Sequence, residues 1–133
     1  MRFMQKSVFF ICLAFTCTSL AQQQQEQRDG ATLGNYLKLK EFSAAGDRVS
    51  KLAIQISFNA TLDAIIYTSS AHKLAAGKQY KPVFCIPTKY SLNNSDLENI
   101  VDLYIKDNNK TLSQNDRMGL VSVLALKERF PCN

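Results

Sequence analysis

The stretch Gly46–Gly77, GDRVSKLAIQISFNATLDAIIYTSSAHKLAAG, decides the fold. Two apolar faces run through it at helical spacing. Val49, Leu52, Ala53, Ile56, Ala60 and Ala64 follow one face, and Ile54, Phe58, Leu62 and Ile65 follow its neighbour. Gly46 breaks what precedes, Asp47 supplies a carboxylate that can cap a helix, and the pattern frays by Gly77. Ile65-Ile66-Tyr67-Thr68 has strand character, but it continues the helical period without a break. The stretch therefore reads as one long helix. Its wide apolar surface predicts packing on more than one side, and with it a helical bundle.

Working outward, Thr32–Phe42 (TLGNYLKLKEF) places Leu33, Tyr36, Leu37 and Lys40 on one stripe, which predicts a short first helix. On the other side, Lys78–Asn94 (KQYKPVFCIPTKYSLNN) contains Pro82 and Pro87, which exclude helix and bias their neighbours to extended shapes. Ser95-Asp96-Leu97-Glu98 then reads as a capping box, followed by Leu97, Ile100, Val101, Tyr104 and Ile105 at helical spacing. Asp107–Lys110 is a polar turn. Ser113 and Asp116 repeat the capping pattern ahead of a last helix. That helix is expected to turn Leu120, Val121, Leu124 and Ala125 inward, with Met118 and Leu126 beside them. The expected fold is all-α, a small bundle of about four helices.

The N-terminus has the make-up of a secretory signal peptide. Arg2 and Lys6 precede the short apolar core Ser7–Phe15, and Ser19-Leu20-Ala21 offers small residues for cleavage after Ala21. The core falls short of the about 20 apolar residues that span a bilayer. Phe15 and Thr16 stand where a lipid-attachment box before Cys17 would need small residues. The expected organisation is a signal peptide over 1–21, a polar leader over 22–30 (QQQQEQR at its start), and a helical domain over 31–133. Cys12 and Cys17 leave with the signal. Cys85 and Cys132 remain as an even pair in an oxidising compartment, so one disulfide closing the last two helices is expected. Loss of Arg2 and Lys6 leaves fourteen basic and eleven acidic residues, a net charge of +3 that reads as modest and unclustered.

Several chemistries lack their signatures. There is no arginine-rich run with interleaved aromatics, so nucleic-acid binding has no support. No Cys-x-x-Cys or zinc spacing accompanies the single His72, and no glycine-rich phosphate loop is present. A nucleophile needs a base nearby, and His72 reads instead as a solvated or capping residue near a helix end. Asp63 reads as a hydrogen-bonded packing residue. A binding protein is expected, with no enzymatic activity, cofactor or metal. Asn59-Ala60-Thr61, Asn93-Asn94-Ser95 and Asn109-Lys110-Thr111 are formal glycosylation sequons that would suit a secreted eukaryotic factor. Asn59 is expected on a buried helix, which makes them chance matches.

Phe84-Cys85-Ile86-Pro87, the helix Leu97–Ile105, a second helix with Ala125-Leu126, and Phe130-Pro131-Cys132 follow one another in order. This C-terminal half resembles the Rap/Tai family of type VI secretion amidase immunity proteins, which shows an F-C-x-P element, two helices and a terminal F-P-C. Upstream, Asp63 and Ala64 match the family's Y-x-x-G-x-x-D-a helix, but Ala60 stands for its glycine and Ser57 for its tyrosine. The family's second cysteine pair is missing, near Lys40 and Leu52. The resemblance implies a periplasmic, helical, homodimeric protein that binds and inhibits a cysteine–histidine peptidoglycan amidase effector, without membrane contact after signal cleavage.

The expected blocking surface is the connection from His72 to Tyr90. It offers His72, Lys73, Lys78, Gln79, Tyr80, Lys81, Lys89 and Tyr90, held rigid by Cys85 and the prolines. The turn Asp107–Lys110 is a lesser expectation. A second class of function fits the same outline: a small periplasmic acid-stress chaperone, also helical, dimeric and held by one disulfide.

Overall fold

Polar side chains cap three of the four helix starts. In a computed structural model of the chain, residues 32–132 are described. The expected signal peptide (1–21) and polar leader (22–30), with residues 31 and 133, lie outside the described residues. Thr32 caps α1 (Leu33–Ala44), its hydroxyl accepting from the Asn35 amide. The Asp47 carboxylate accepts from the Val49 and Ser50 amides at the start of α2 (Arg48–Ala76). Gly46 and Gly77 flank α2 at positive φ, 96° and 52°, where other residues would be strained. A short 3-10 turn, Gly77–Gln79, follows.

Two of the expected caps lie elsewhere. The capping box of α3 (Asn94–Asp107) is made by Asn93 and Asp96, not by Ser95 and Glu98. With Asn93 as the cap, Glu98 lies beyond the position a capping box uses, and it pairs instead with Lys40 at 2.9 Å. Ser113 and Asp116 do not cap α4 (Met118–Arg129), which has no side-chain cap at all. They close a tight turn instead: Asp116 accepts from the Ser113 amide at 2.7 Å, and Ser113 accepts from the Asn115 amide at 3.2 Å. That turn serves α1. Its Gln114 and Asp116 carbonyls accept the Gly34 and Leu33 amides, each at 2.8 Å. Two amides that a helix start leaves open are thus satisfied across the fold. Thr32 and Arg117 add an isolated antiparallel bridge. Gly34 permits the approach, since a Cβ there would meet Gln114 Cβ at 3.1 Å and its carbonyl at 3.2 Å.

The architecture is all-α, with four α-helices and no strand among the described residues. One cluster of buried side chains joins them: Leu33 and Tyr36 of α1, Ile54, Phe58 and Leu62 of α2, Leu97, Ile100 and Val101 of α3, and Val121, Ala125 and Leu126 of α4. The inward stripe of α4 is rotated from the expected one. Val121, Ser122, Ala125 and Leu126 are buried and Leu124 is half-buried, while Leu120 is 56% exposed. Ser122 fits the interior because its hydroxyl donates to the Met118 carbonyl at 2.8 Å. In α1, Leu37 likewise turns outward.

The largest departure is in α2. It was expected to pack on more than one side, but α1, α3 and α4 all meet the Ile54–Phe58–Leu62 face. The other apolar face looks outward, with Val49 74%, Leu52 55% and Ile56 58% exposed. Asn59 and Asp63 lie exposed with it, so neither is the buried residue that the sequence pattern led us to expect.

A polar bridge ties α1 to α3. Lys40 Nζ contacts Glu98 at 2.9 Å and Asp102 at 2.8 Å, and the Tyr36 hydroxyl donates to Asp102 at 2.5 Å. Burial, reinforced by the neighbouring Asp102 and Glu98 carboxylates, pushes the Tyr36 phenol far above its usual range. Burial alone would lower the Lys40 ammonium, but its hydrogen bonds to both carboxylates outweigh this and raise it. The Tyr36 ring meets Phe58 edge-on at 5.5 Å. Cys85 and Cys132 form the disulfide, which closes α3 and α4 into a hairpin.

Candidate functional site

The connection between α2 and α3 has few backbone anchors, and each comes from local sequence. The Tyr80 amide donates to Gly77 at 3.2 Å, closing the 3-10 turn. The Cys85 amide donates to the Phe130 carbonyl at 2.8 Å, next to the disulfide. The Tyr90 amide donates to Pro87 at 2.9 Å, and the Tyr90 ring rests against Phe130 at 5.5 Å. Phe84, Leu92 and Phe130 are half-buried against the core. The segment is held to the bundle at its middle; Tyr80 and Ile86 are half-buried as well, and most of its remaining residues are exposed.

Between the connection and α2 lies a groove of about 320 Å³. One wall is α2, through Ala64, Ile65, Thr68, Ser69 and His72, residues that share a helical face. The opposite wall is Tyr80, Lys81, Val83 and Phe84, and Val123 of α4 completes the lining. The His72 ring stands edge-on to Tyr80 at 5.4 Å. The lining is mostly apolar, with the Lys81 ammonium, the His72 ring and the Tyr80 phenol as its ionisable groups.

Of the residues expected to form the binding surface, His72, Tyr80 and Lys81 come together at this groove. Lys73, Lys78, Gln79 and Lys89 are exposed on the same stretch but do not line it. Tyr90 sits against Phe130 instead, 42% exposed. In the turn after α3, Asp107, Asn109 and Lys110 are exposed, while the Asn108 side chain donates back to Tyr104. Sequence reasoning found His72 but missed the rest of the α2 wall: Ala64 and Ile65 were assigned to the packing faces, and Thr68 and Ser69 were given no role at a surface.

The charge is more segregated than its modest total implied. Between Ala64 and Ser95 there are four lysines (Lys73, Lys78, Lys81 and Lys89) and no Asp or Glu. In the remaining described residues, nine basic residues balance nine acidic ones. None of the four lysines forms an ion pair among the described residues, where Lys40 alone does so. The excess positive charge of this region therefore belongs to the groove and its surroundings.

A second surface is the outward face of α2. Val49, Leu52, Ile56, Tyr67 and Leu74 recur along it at three- and four-residue multiples, with Tyr67 74% and Leu74 86% exposed. Among the described residues, no group of three His, Cys, Asp or Glu side chains could hold a metal ion, and no helix is long and apolar enough to cross a membrane. Comparison with protein-family models, with curated proteins and with solved structures returns no match.

Proposed function

We propose that this chain is a periplasmic immunity protein that binds and inhibits a peptidoglycan amidase effector delivered by a type VI secretion system. The observation that carries the reading is the meeting of two motif segments far apart in sequence. Phe84-Cys85-Ile86-Pro87 and Phe130-Pro131-Cys132 are joined by the disulfide and by the Cys85–Phe130 backbone hydrogen bond. Those segments carry the resemblance to the Rap/Tai family, and their union stiffens the connection beside the groove. A stiffened segment loses less conformational freedom on binding. Its tyrosines are suited to contact and its lysines to steering an acidic partner. In this reading the protein blocks a cleft and performs no chemistry itself.

The same reading has the protein homodimeric, with the outward face of α2 as the self-association surface. Exposed contiguous apolar area on a soluble protein marks an interaction site. Ile56→Lys should leave the helix content unchanged and shift the sedimenting species from dimer to monomer. An unchanged dimer would move the interface elsewhere.

The decisive experiment mixes the purified mature protein with candidate effector amidases. A near-equimolar amount should silence the cognate enzyme, and the protein alone should release no stem peptides from peptidoglycan. The acid-stress chaperone reading draws on the exposed α2 face. It forecasts suppression of aggregation of unrelated proteins at low pH, with no dependence on any amidase.

A further inference from the structure

We infer that the groove between α2 and the connection receives an apolar side chain from a partner polypeptide segment that is flanked by carboxylates. The inference rests on the binding reading above and adds to it the chemistry of the partner's contact segment. Its first support is size. At about 320 Å³ the groove lies at the small end of the range for ligand sites, about 300–1,000 Å³. A side chain or two of a peptide suit it better than a large cofactor. Its second support is lining. Ile65, Val83, Phe84 and Val123 offer hydrocarbon, and the His72–Tyr80 pair adds aromatic edges.

The third support is charge complementarity. The residues from Ala64 to Ser95 hold no carboxylate and four lysines with no ion pair among the described residues. Lys81 lines the groove, while Lys73 follows His72 directly. Positive groups around an apolar slot favour a partner with the opposite sign at its rim and steer it on approach. A second copy of this chain meets that requirement poorly. Of the nine carboxylates in the described residues, Asp47, Asp96 and Asp116 serve local backbone amides and Glu98 and Asp102 hold Lys40. The remaining four, Glu41, Asp63, Asp107 and Glu128, are scattered singly along the sequence. The polar run Gln22–Gln27 has no apolar side chain to insert.

The test uses the full mature chain, isotopically labelled, and a blocked hexapeptide with a Phe-Leu centre flanked by two acidic residues on each side. Its control has lysines in place of the acids. The acidic peptide should shift the amides of Ile65, Thr68, His72, Val83, Phe84 and Val123, and its binding should weaken as salt rises. The control should not bind. The triple variant Lys73→Glu, Lys78→Glu, Lys81→Glu should weaken the acidic peptide roughly tenfold or more. Thr68→Trp, an exposed position at the groove, should block it with the helix content unchanged. Equal binding of both peptides, shifts confined to other surfaces, or no binding overturns the inference. Silencing of an amidase is measured separately on the same variants. Peptide binding without a silenced amidase sinks the immunity reading and leaves the groove assignment standing. A silenced amidase indifferent to both variants does the reverse.

Discussion

Replacing both Cys85 and Cys132 with serine isolates what the staple contributes. Both residues are exposed, so the serines bury no new hydroxyl and open no cavity. The backbone bond from Cys85 to Phe130 needs neither sulfur and can persist. What is lost is the constraint on the unfolded chain across a sequence separation of 47. In the chain-entropy treatment a loop of that size is worth about 4 kcal/mol at 25 °C, inside the range of about 2–5 kcal/mol for native disulfides of small secreted domains. For a domain near 100 residues that corresponds to a fall in melting temperature of about 20 °C. The assay is urea and thermal unfolding of the oxidised protein, the reduced protein and the double variant, with intact mass to count thiols. Reduced protein and double variant should coincide. Two free thiols in natively produced protein, or a loss under about 1 kcal/mol, would refute the reasoning.

Three further outcomes follow from local geometry. Asn93→Ala should cost about 1 kcal/mol in denaturant unfolding, as loss of an N-cap does, whereas Ser95→Ala should cost a few tenths; the reverse order would return the capping box to Ser95. Gly34→Ala should destabilise by about 1–2 kcal/mol, because the new methyl group presses on Gln114, and a stabilised variant would show that the turn yields. Tyr36 and Lys40 both have raised folded-state pKa values, so the unfolded chain releases these protons first as pH rises. Their contribution is complete below about pH 10 and is lost above it. Tyr36→Phe should therefore cost about 1.5 kcal/mol at neutral pH and flatten the alkaline decline, and an unchanged pH profile would exclude Tyr36 from it.

How much was legible in sequence depended on whether the deciding interaction was local. The long helix, its Asp47 cap and its end at Gly77 rest on neighbours in the chain, and all three were readable. The cysteine pair was readable because only two of the four cysteines lie beyond the expected signal peptide. The errors arise where distant segments compete. Glu98 looked like a capping residue, but the helix starts two residues earlier at Asn93 and Glu98 pairs with Lys40 of a distant segment. Ser113 and Asp116 resembled a helix start, but their turn is spent on the first amides of α1. Apolar period alone cannot say how many sides of a helix find partners, so the Val49–Leu52–Ile56 face was assigned to the core. For the candidate site, His72, Tyr80 and Lys81 were within reach of sequence reasoning. The rest of the α2 wall was not, because Ile65 and Thr68 carry the same spacing whether they face a core or a groove.

The exposure of Cys85 and Cys132 bears on the order in which the molecule matures. Phe84 and Phe130, their chain neighbours, are the half-buried groups, while the sulfur-bearing residues stay at the surface. Packing of the two rings on the core and the hydrogen bond between Cys85 and Phe130 can bring the two cysteine-bearing segments together before any covalent bond exists. An oxidant arriving from solvent then meets two thiols already side by side and need not wait for the domain to open. Closure of the staple becomes a seal on a finished hairpin, and folding can be separated in time from oxidation.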